Sequence, residues 1–538
     1  MLDILIKNGT IIDGSGNPRY TADVAVEGGV ITRIGKNIDE PAERVIDAAG
    51  LSVTPGFIDT HSHGDDMVLF QNDAYNCLEQ GITTQLVGNC GESPAPYPED
   101  NVMPPIRRQV SDEELAQIKA ICRDSSTFME HAKHVKLGVN VAFLIGHNAI
   151  RAHAMGTSDG KATPEQLEDM RRSIRIAMEA GFFGYSTGLV YAPSVYGDTE
   201  ELTELAKVVA DYGGVYASHI RGEGNSVFDA VAEAIEIGRG SGASVLVSHI
   251  KIMGEKNRGR AAEILKMLHS ANEDGVHVFA DQYPYEAGSA PLITQIPPKY
   301  LAGGKEETLR LIADREMREK IEYSIFHEAD EFESSIYDAG YDGAIIVTAN
   351  KTPQYVGMTL GEIAKKENKA PIDVMMDILI ANDGVVQAIY KCQSLGDVLT
   401  FMADPLVHAG CDWFAYEKHF DINQRSGGHP RGTSTMIRRI ELTRDNGLRS
   451  AEDCIRSITG APAEAMGFTG RGLIKEGYAA DICVLDYPNI RATSDYLYPF
   501  KRNQGLHYVL VNGNLAVCDG LCTGGYFGQP ILHKSKKQ

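Results

Sequence analysis

The 538-residue chain has little positive charge, a single tryptophan, no long apolar run and no paired-cysteine framework. Lys and Arg number 51 against 73 Asp and Glu, a formal net charge of −22. Such an acidic surface argues against general attraction to nucleic acid or to an anionic membrane, and an anionic ligand would need a local basic pocket. No apolar stretch reaches the length of a membrane span, and Met1–Gly9 lacks the basic and apolar segments of a secretory leader. The nine cysteines are an odd number scattered from Cys77 to Cys522, unlike the framework of a small secreted protein. A soluble, cytoplasmic protein with mostly reduced thiols is expected. Hydrophobic residues at 43% and charged ones at 23% indicate a sizeable packed core.

What is present reads as three kinds of text. Residues 2–54 consist of short alternating segments punctuated by Gly and Asn, which predicts an antiparallel sheet. Similar texture returns at Ala480–Leu485 and Tyr508–Val517, so the two ends are expected to share a small β-sandwich, residues 1–54 with 470–538. Between them, apolar runs alternate with helical stretches such as Thr163–Ala180, Glu200–Tyr212 and Ser226–Gly238, the pattern of parallel βαβ units. Candidate strands are Gly56–His61, Thr83–Val87, Val139–Ile145, Gly184–Gly188, Val215–His219, Ser244–His249, His277–Asp281 and one just before Asp412. Eight such strands predict an α/β fold, a (β/α)₈ TIM barrel over 55–469 with its chemistry at the C-terminal strand ends. Residues from about 290 to 400 are expected to form an insertion, a lid over the barrel mouth. The terminal His533–Gln538 is expected to fray.

The chemistry-bearing residues cluster at those strand ends. His61 and His63, at i and i+2 after an apolar strand, point to one side and can reach one metal ion. His219 and His249 end two runs of the same texture about one βαβ unit apart, which sets them at equivalent ends of neighbouring strands. Cys90, in Gly88-Asn89-Cys90-Gly91, lies just past another strand end, as a thiolate ligand or as a small buried residue. Asp412 follows the predicted eighth strand, where a carboxylate can contact metal and accept a proton, or serve as an ordinary loop residue. Gly238-Arg239-Gly240-Ser241-Gly242 follows a helix and precedes a strand, the wrong order for a dinucleotide fingerprint.

Taken together, the residues resemble the amidohydrolase superfamily and, within it, the N-acyl-D-amino-acid deacylases. The matching segments are Ile6-Lys7-Asn8-Gly9 with Asp13-Gly14, Val53 to His63, Gly88-Asn89-Cys90-Gly91, Ser218 to Glu223, Asp281-Gln282-Tyr283-Pro284-Tyr285, His429-Pro430-Arg431 and Gly477 to Asp481. The resemblance implies zinc held tightly by Cys90, His219 and His249, with His61, His63 and a bridging Cys90 forming a second, weaker site. Asp412 would be both metal contact and catalytic acid/base, and the reaction hydrolysis of an N-acyl amide bond of a small N-acyl-D-amino acid. Arg431 would pair with the substrate carboxylate, its planar fork suited to two parallel hydrogen bonds. Tyr191, Tyr283 and Ser289 would add hydrogen bonds.

Arg221 and Lys251, two residues past His219 and His249, are expected near the same mouth, adding positive potential or pairing with Glu223 and Glu255. Trp413-Phe414 stands where the family usually has a small residue, which predicts an aromatic wall narrowing the substrate side-chain pocket. Two other readings stand beside the deacylase. A cyclic amidase of the hydantoinase or dihydroorotase kind generally carries a carboxylated lysine on the fourth strand, yet no lysine occurs between Lys161 and Lys207. A non-catalytic scaffold would be marked by missing ligands, and none of the expected ones is missing.

Overall fold

The computed structural model describes residues 1–97, 110–416, 420–424 and 426–534. Of the terminal residues expected to fray, 535–538 lie outside the described residues. Eight strands form one parallel sheet: β1 (Phe57–Asp59), β2 (Ile82–Val87), β3 (Asn140–Gly146), β4 (Gly184–Gly188), β5 (Val215–His219), β6 (Ser244–Val247), β7 (Val278–Gln282) and β8 (Val407–Ala409). Adjacent strands pair in chain order, and the first and last meet through Thr60 N to Ala409 O (3.2 Å) and Asp412 N to His61 O (2.7 Å). Asp59 reinforces this closure, because its Oδ1 accepts from the backbone N–H groups of both His61 (3.0 Å) and Cys411 (2.9 Å). All eight predicted runs are strands.

The two-residue period of a strand decides what lies inside the barrel. Ile58, Leu86, Ala142, Leu144, Val215, Ala217, Leu246 and Phe279 share one buried interior cluster. On β5 that period carries Val215 and Ala217 inward at the bottom and His219 inward at the top. The outward residues Val141, Tyr185, Val245 and Val278 belong to the larger cluster that also takes the apolar stripes of the surrounding helices. Among those helices are Pro164–Ala180, Thr199–Asp211 and Val227–Ser241. The first begins where Thr163 accepts from Gln166 N and Gln166 returns the bond, a reciprocal cap encoded in the sequence.

The two chain ends form one nine-stranded sheet, with Ser52–Pro55 joining the N-terminal strands to Ile482–Leu485. Ile6, Val24, Ile31 and Val53 from one end share a core with Ile482, Val484 and Leu510 from the other. The sheet is mixed, which corrects the antiparallel expectation. Leu2–Ile11 runs antiparallel to Tyr20–Glu27 but parallel to Ala42–Asp47 and Ser52–Pro55. The chain crosses over after the first hairpin, and short alternating runs carry no signal of that crossover. Leu2–Ile11 carries a bulge, where Asn8 adopts φ 61° and donates its backbone N–H to Asp23.

Between β7 and β8 the inserted region builds a three-stranded sheet (Gly288–Pro291, Gln387–Tyr390, Ala344–Thr348) and its own helices around a separate core of Ile321, Ile346, Leu360 and Met375. Two of its helices are Gly304–Ile312 and Arg315–His327, and Asp314 caps the second. Among the described residues, no helix is long and apolar enough to cross a membrane.

Strand β4 meets β5 so closely that a Cβ on Gly184 would lie 1.9 Å from the carbonyl oxygen of Val215. Gly184→Ala is therefore expected to destabilise the barrel by about 1–3 kcal/mol or more, lowering the thermal unfolding midpoint. An unchanged midpoint would contradict this packing.

Candidate metal centre

At the C-terminal end of the barrel the polypeptide turns sharply after several strands. Cys90, His249 and Asp412 all adopt left-handed backbone conformations, with φ of 54°, 35° and 51°. Such conformations carry roughly 1–3 kcal/mol of strain each and persist where surrounding structure enforces them. Their common effect is to aim three side chains from β2, β6 and β8 at one point. The His249 turn also explains why β6 ends two residues before the histidine; His249 N donates to Asp281 Oδ1 (2.5 Å) instead of continuing the ladder.

Cys90 Sγ is the hub. It lies 3.3 Å from His61 Nε2, 3.4 Å from His249 Nε2 and 3.7 Å from His219 Nδ1. Asp412 Oδ1 sits 3.1 Å from His63 Nε2 and 3.7 Å from His61 Nε2. Donor atoms of His61, Cys90, His249 and Asp412 lie within 4.8 Å of one another, as do those of His219, Glu223 and His249. All six sequence-predicted ligands are thus brought together. One soft thiolate, four imidazoles and a carboxylate suit zinc.

Without a cation the cluster is electrostatically awkward, which fits a metal. Burial pushes the Cys90 thiol well above its usual value, and Asp412 adds to the effect. Burial drives His219 and His249 well below the ordinary histidine value, so both stay neutral, as ligands must. Burial favours a neutral Asp412, but the Arg431 guanidinium beside it holds its carboxyl well below the carboxylate range. Arg431 Nη1 lies 2.8 Å from Asp412 Oδ2.

Two carboxylates that the sequence reading gave no metal role orient the histidines. Asp281, at the inward end of β7, accepts from Thr60 Oγ1 (3.0 Å) and His249 N, and lies 3.6 Å from His61 Nδ1. Glu223 Oε1 lies 3.0 Å from His249 Nδ1, and Glu223 Oε2 lies 3.6 Å from His219 Nε2. With Nε2 turned to the cluster, an Nδ1–H donated to Glu223 fixes the tautomer. Asp281 ends a predicted strand as the histidines do, so position alone marks it.

A cavity opens beside the cluster, lined by His219, His249 and Asp412 and by residues of the inserted region. Tyr191, Lys251, Tyr283 and Ser289 line it. Tyr191 packs edge-on to His219, with centroids 5.0 Å apart. Tyr283 OH accepts from Gln393 Nε2 (3.1 Å), and Ser289 Oγ donates to Ala388 O (2.8 Å). Lys251 is buried, bonded to Glu223 and 2.8 Å from His249 Nδ1. Glu223 outweighs the effect of burial and keeps Lys251 charged. Arg221 is not brought to the cavity: it binds Glu233 (2.9 Å) and the carbonyls of Val195 and Gly197 (both 2.9 Å), tying a loop to the outer helix layer. Its carboxylate partner is neither Glu223 nor Glu255.

Trp413 corrects the expected aromatic wall. The indole is not part of the cavity lining; it lies against Arg431, whose Cζ is 5.3 Å from its centroid, while Tyr283 covers the guanidinium from 4.6 Å. Gly432 leaves the space, since a Cβ there would meet Trp413 Cδ1 at 2.0 Å. Arg431 Nη2 donates to Ser289 O (3.1 Å), and its Nε is buried without a hydrogen-bond partner among the described residues.

Known proteins resemble this chain over nearly its whole length. A model of the amidohydrolase family matches residues 44–290 and 344–517. A D-aminoacylase of Alcaligenes xylosoxydans xylosoxydans is 32% identical over 532 residues, 98% of this chain and 97% of its own. An N-acyl-D-aspartate deacylase of the same organism is 32% identical over 525 residues, 97% and 93% of the two chains. Among solved structures, an N-acyl-D-glutamate deacylase from Bordetella bronchiseptica, complexed with zinc and a phosphonate mimic of the tetrahedral intermediate, superposes with a TM-score of 0.81. The two are 30% identical, covering 99% of this chain and 100% of that one.

Cys90→Ala removes the atom on which three histidines converge. The variant is expected to retain much less zinc than wild type after dialysis against a weak chelator, read by elemental analysis. Because the buried thiol must lose its proton to bind, zinc uptake by wild type should also release protons and tighten as pH rises. Full zinc retention by the variant would contradict the hub assignment.

Proposed function

Because the chain belongs to the amidohydrolase family, we propose that it hydrolyses the N-acyl amide bond of N-acyl-D-amino acids, giving a carboxylate and a free D-amino acid. The observation that carries this reading is the Cys90-centred cluster beside an Arg431–Asp412 pair, at the mouth of a barrel matched over nearly its whole length by D-aminoacylases. Cys90, His219 and His249 would hold one zinc ion tightly, and His61 and His63, with Cys90 shared, a weaker second. The chemistry that a zinc ion would supply at those residues is Lewis acidity, toward the acyl oxygen and toward a water nucleophile near neutral pH.

This chain's own groups supply the rest. Asp412, held ionised by Arg431, accepts the proton of the attacking water and returns it to the leaving nitrogen. Arg431, paired with Asp412 and with the Tyr283 and Trp413 ring centroids 4.6 and 5.3 Å from its Cζ, would meet the substrate carboxylate from just behind the lining residues. Tyr191, Tyr283 and Ser289 line the space that the rest of the substrate would fill. Lys251 acts through its ion pair, keeping Glu223 aligned on His249. Arg221 takes no part in substrate binding under this reading. The cyclic-amidase alternative is disfavoured because Cys90, not a lysine, occupies the shared position. A thiol ligand also favours a reducing compartment, in keeping with the cytoplasm.

Asp412→Asn keeps the side chain's shape but not its basicity. It is expected to retain zinc through Cys90, His219 and His249 and to lose about 10²–10⁴-fold in kcat, measured as amine release from an N-acetyl-D-amino acid. Near-normal turnover would contradict the assignment.

A further inference from the structure

Outside the metal cluster, a buried chain of carboxylate, histidine and serine reaches the turn that carries Tyr191. His147, the first residue of the helix His147–Met155 that follows β3, has Nδ1 2.7 Å from Ser194 Oγ and Nε2 3.0 Å from Glu201 Oε1. Arg151, one helical turn on, donates Nε to the same Glu201 oxygen (3.1 Å), and its Nη1 and Nη2 donate to the carbonyls of Ser158 (2.8 Å) and Gly160 (2.7 Å). Burial opposes the charge of Glu201, but His147 and then Arg151 hold its carboxyl below its ordinary value, while burial lowers His147 and keeps it neutral. The ionised carboxylate takes the Nε2 proton, which leaves Nδ1 to accept the Ser194 hydroxyl. The same order of groups activates a serine nucleophile elsewhere, but Ser194 is 0% exposed and is not among the cavity-lining residues, so no substrate reaches it.

What the chain holds is a turn. Ser194 Oγ accepts from the backbone N–H of Gly188 at the end of β4 (3.4 Å), and Ser194 N donates to Asn148 Oδ1 (2.8 Å). Within the turn, Tyr191 N donates to Gly188 O (2.9 Å) and Val195 N to Tyr191 O (2.8 Å). The packing is as close as the bonding: a Cβ on Gly197 would lie 2.8 Å from His147 Cε1 and 2.9 Å from Glu201 Oε1, and one on Gly188 would lie 2.7 Å from Tyr191 Cδ2. Tyr191 carries the turn to the site, its ring edge-on to His219 and lining the cavity.

We propose that His147 is a positioning residue for the reaction: anchored by Glu201 and Arg151, it holds Ser194 and with it the 188–197 turn, so that Tyr191 keeps its place between His219 and the substrate. Rigid support of this kind, from groups that never touch the substrate, is what keeps a binding residue within the narrow tolerance that catalysis needs. The inference rests on the deacylase reading, in which Tyr191 lines the space that the substrate fills.

Ser194→Ala removes the link and leaves the cavity lining in place. On whichever N-acetyl-D-amino acid wild type uses best, the zinc-loaded variant is expected to lose about 10- to 10²-fold in kcat/KM, with zinc content by elemental analysis equal to wild type. His147→Leu is expected to show the same pair of results. In a Tyr191→Ala background, Ser194→Ala should cost less than about 3-fold, because residues that act through one another are not additive. An unchanged kcat/KM in a Ser194→Ala that folds as judged by circular dichroism, a loss of equal size in both backgrounds, or a loss that follows zinc content would overturn the proposal and leave the deacylase reading intact. If Ser194→Ala does not fold, Ser194→Cys, close in size and a weaker donor, is read by the same criteria. If Tyr191→Ala has no measurable turnover, hydrogen exchange decides: faster exchange confined to residues 188–197 of Ser194→Ala supports the proposal, and exchange like that of wild type overturns it. Silence of wild type on every N-acetyl-D-amino acid would overturn the reading on which the proposal rests.

Discussion

The site depends on one buried sulfur. Cys90 Sγ lies within 3.7 Å of nitrogens from His61, His219 and His249, which arrive from β1, β5 and β6. A barrel is needed to make that meeting possible, because only a closed parallel sheet brings the ends of its first, fifth and sixth strands to one rim. The closure of β1 on β8 does double service: the hydrogen bond from Asp412 N to His61 O that joins these strand ends also carries the carboxylate to the cluster. Fold closure and site assembly are the same set of contacts at this end of the molecule.

Around this hub the charges are arranged in pairs that keep each group useful. Glu223 holds Lys251 and faces His249, Asp281 holds the His249 backbone and faces His61, and Arg431 holds Asp412. His249, His61 and Asp412 therefore each have an outer partner beside them, the arrangement by which proteins tune a metal site beyond its direct ligands. Thr294, Gln295, Glu333 and Ser335 of the inserted region line the cavity beside the cluster, so that cavity is built from separate parts of the chain.

Much of this was legible in the sequence. Most of the eight strands are apolar runs, Gly184–Gly188 being an exception, and the histidines that follow three of them, His61, His219 and His249, are the ones the barrel gathers. Cys90 and Asp412 were legible as candidates because they sit just past such runs. Glu223 and Asp281 were not singled out: Asp281 ends a predicted strand as the histidines do, but an acidic residue at such a place is common, and its position against a histidine across the barrel is what distinguishes it. Trp413 was misplaced for a related reason: the sequence sets it beside Asp412, but the vacancy above Gly432, fifteen to twenty residues further on, turns the indole behind Arg431 rather than into the cavity. The mixed terminal sheet was missed because local alternation specifies a strand and not the direction of its neighbour.

The central claim is that this cluster cleaves linear N-acyl bonds of D-amino acids. Its most direct measurement is amine release by zinc-loaded protein from matched N-acetyl-D- and N-acetyl-L-amino acids, with hydantoin and dihydroorotate as comparison substrates. Turnover confined to the D-series is the predicted result. Ring opening of the cyclic amides alone, or turnover of the L-series alone, would contradict it.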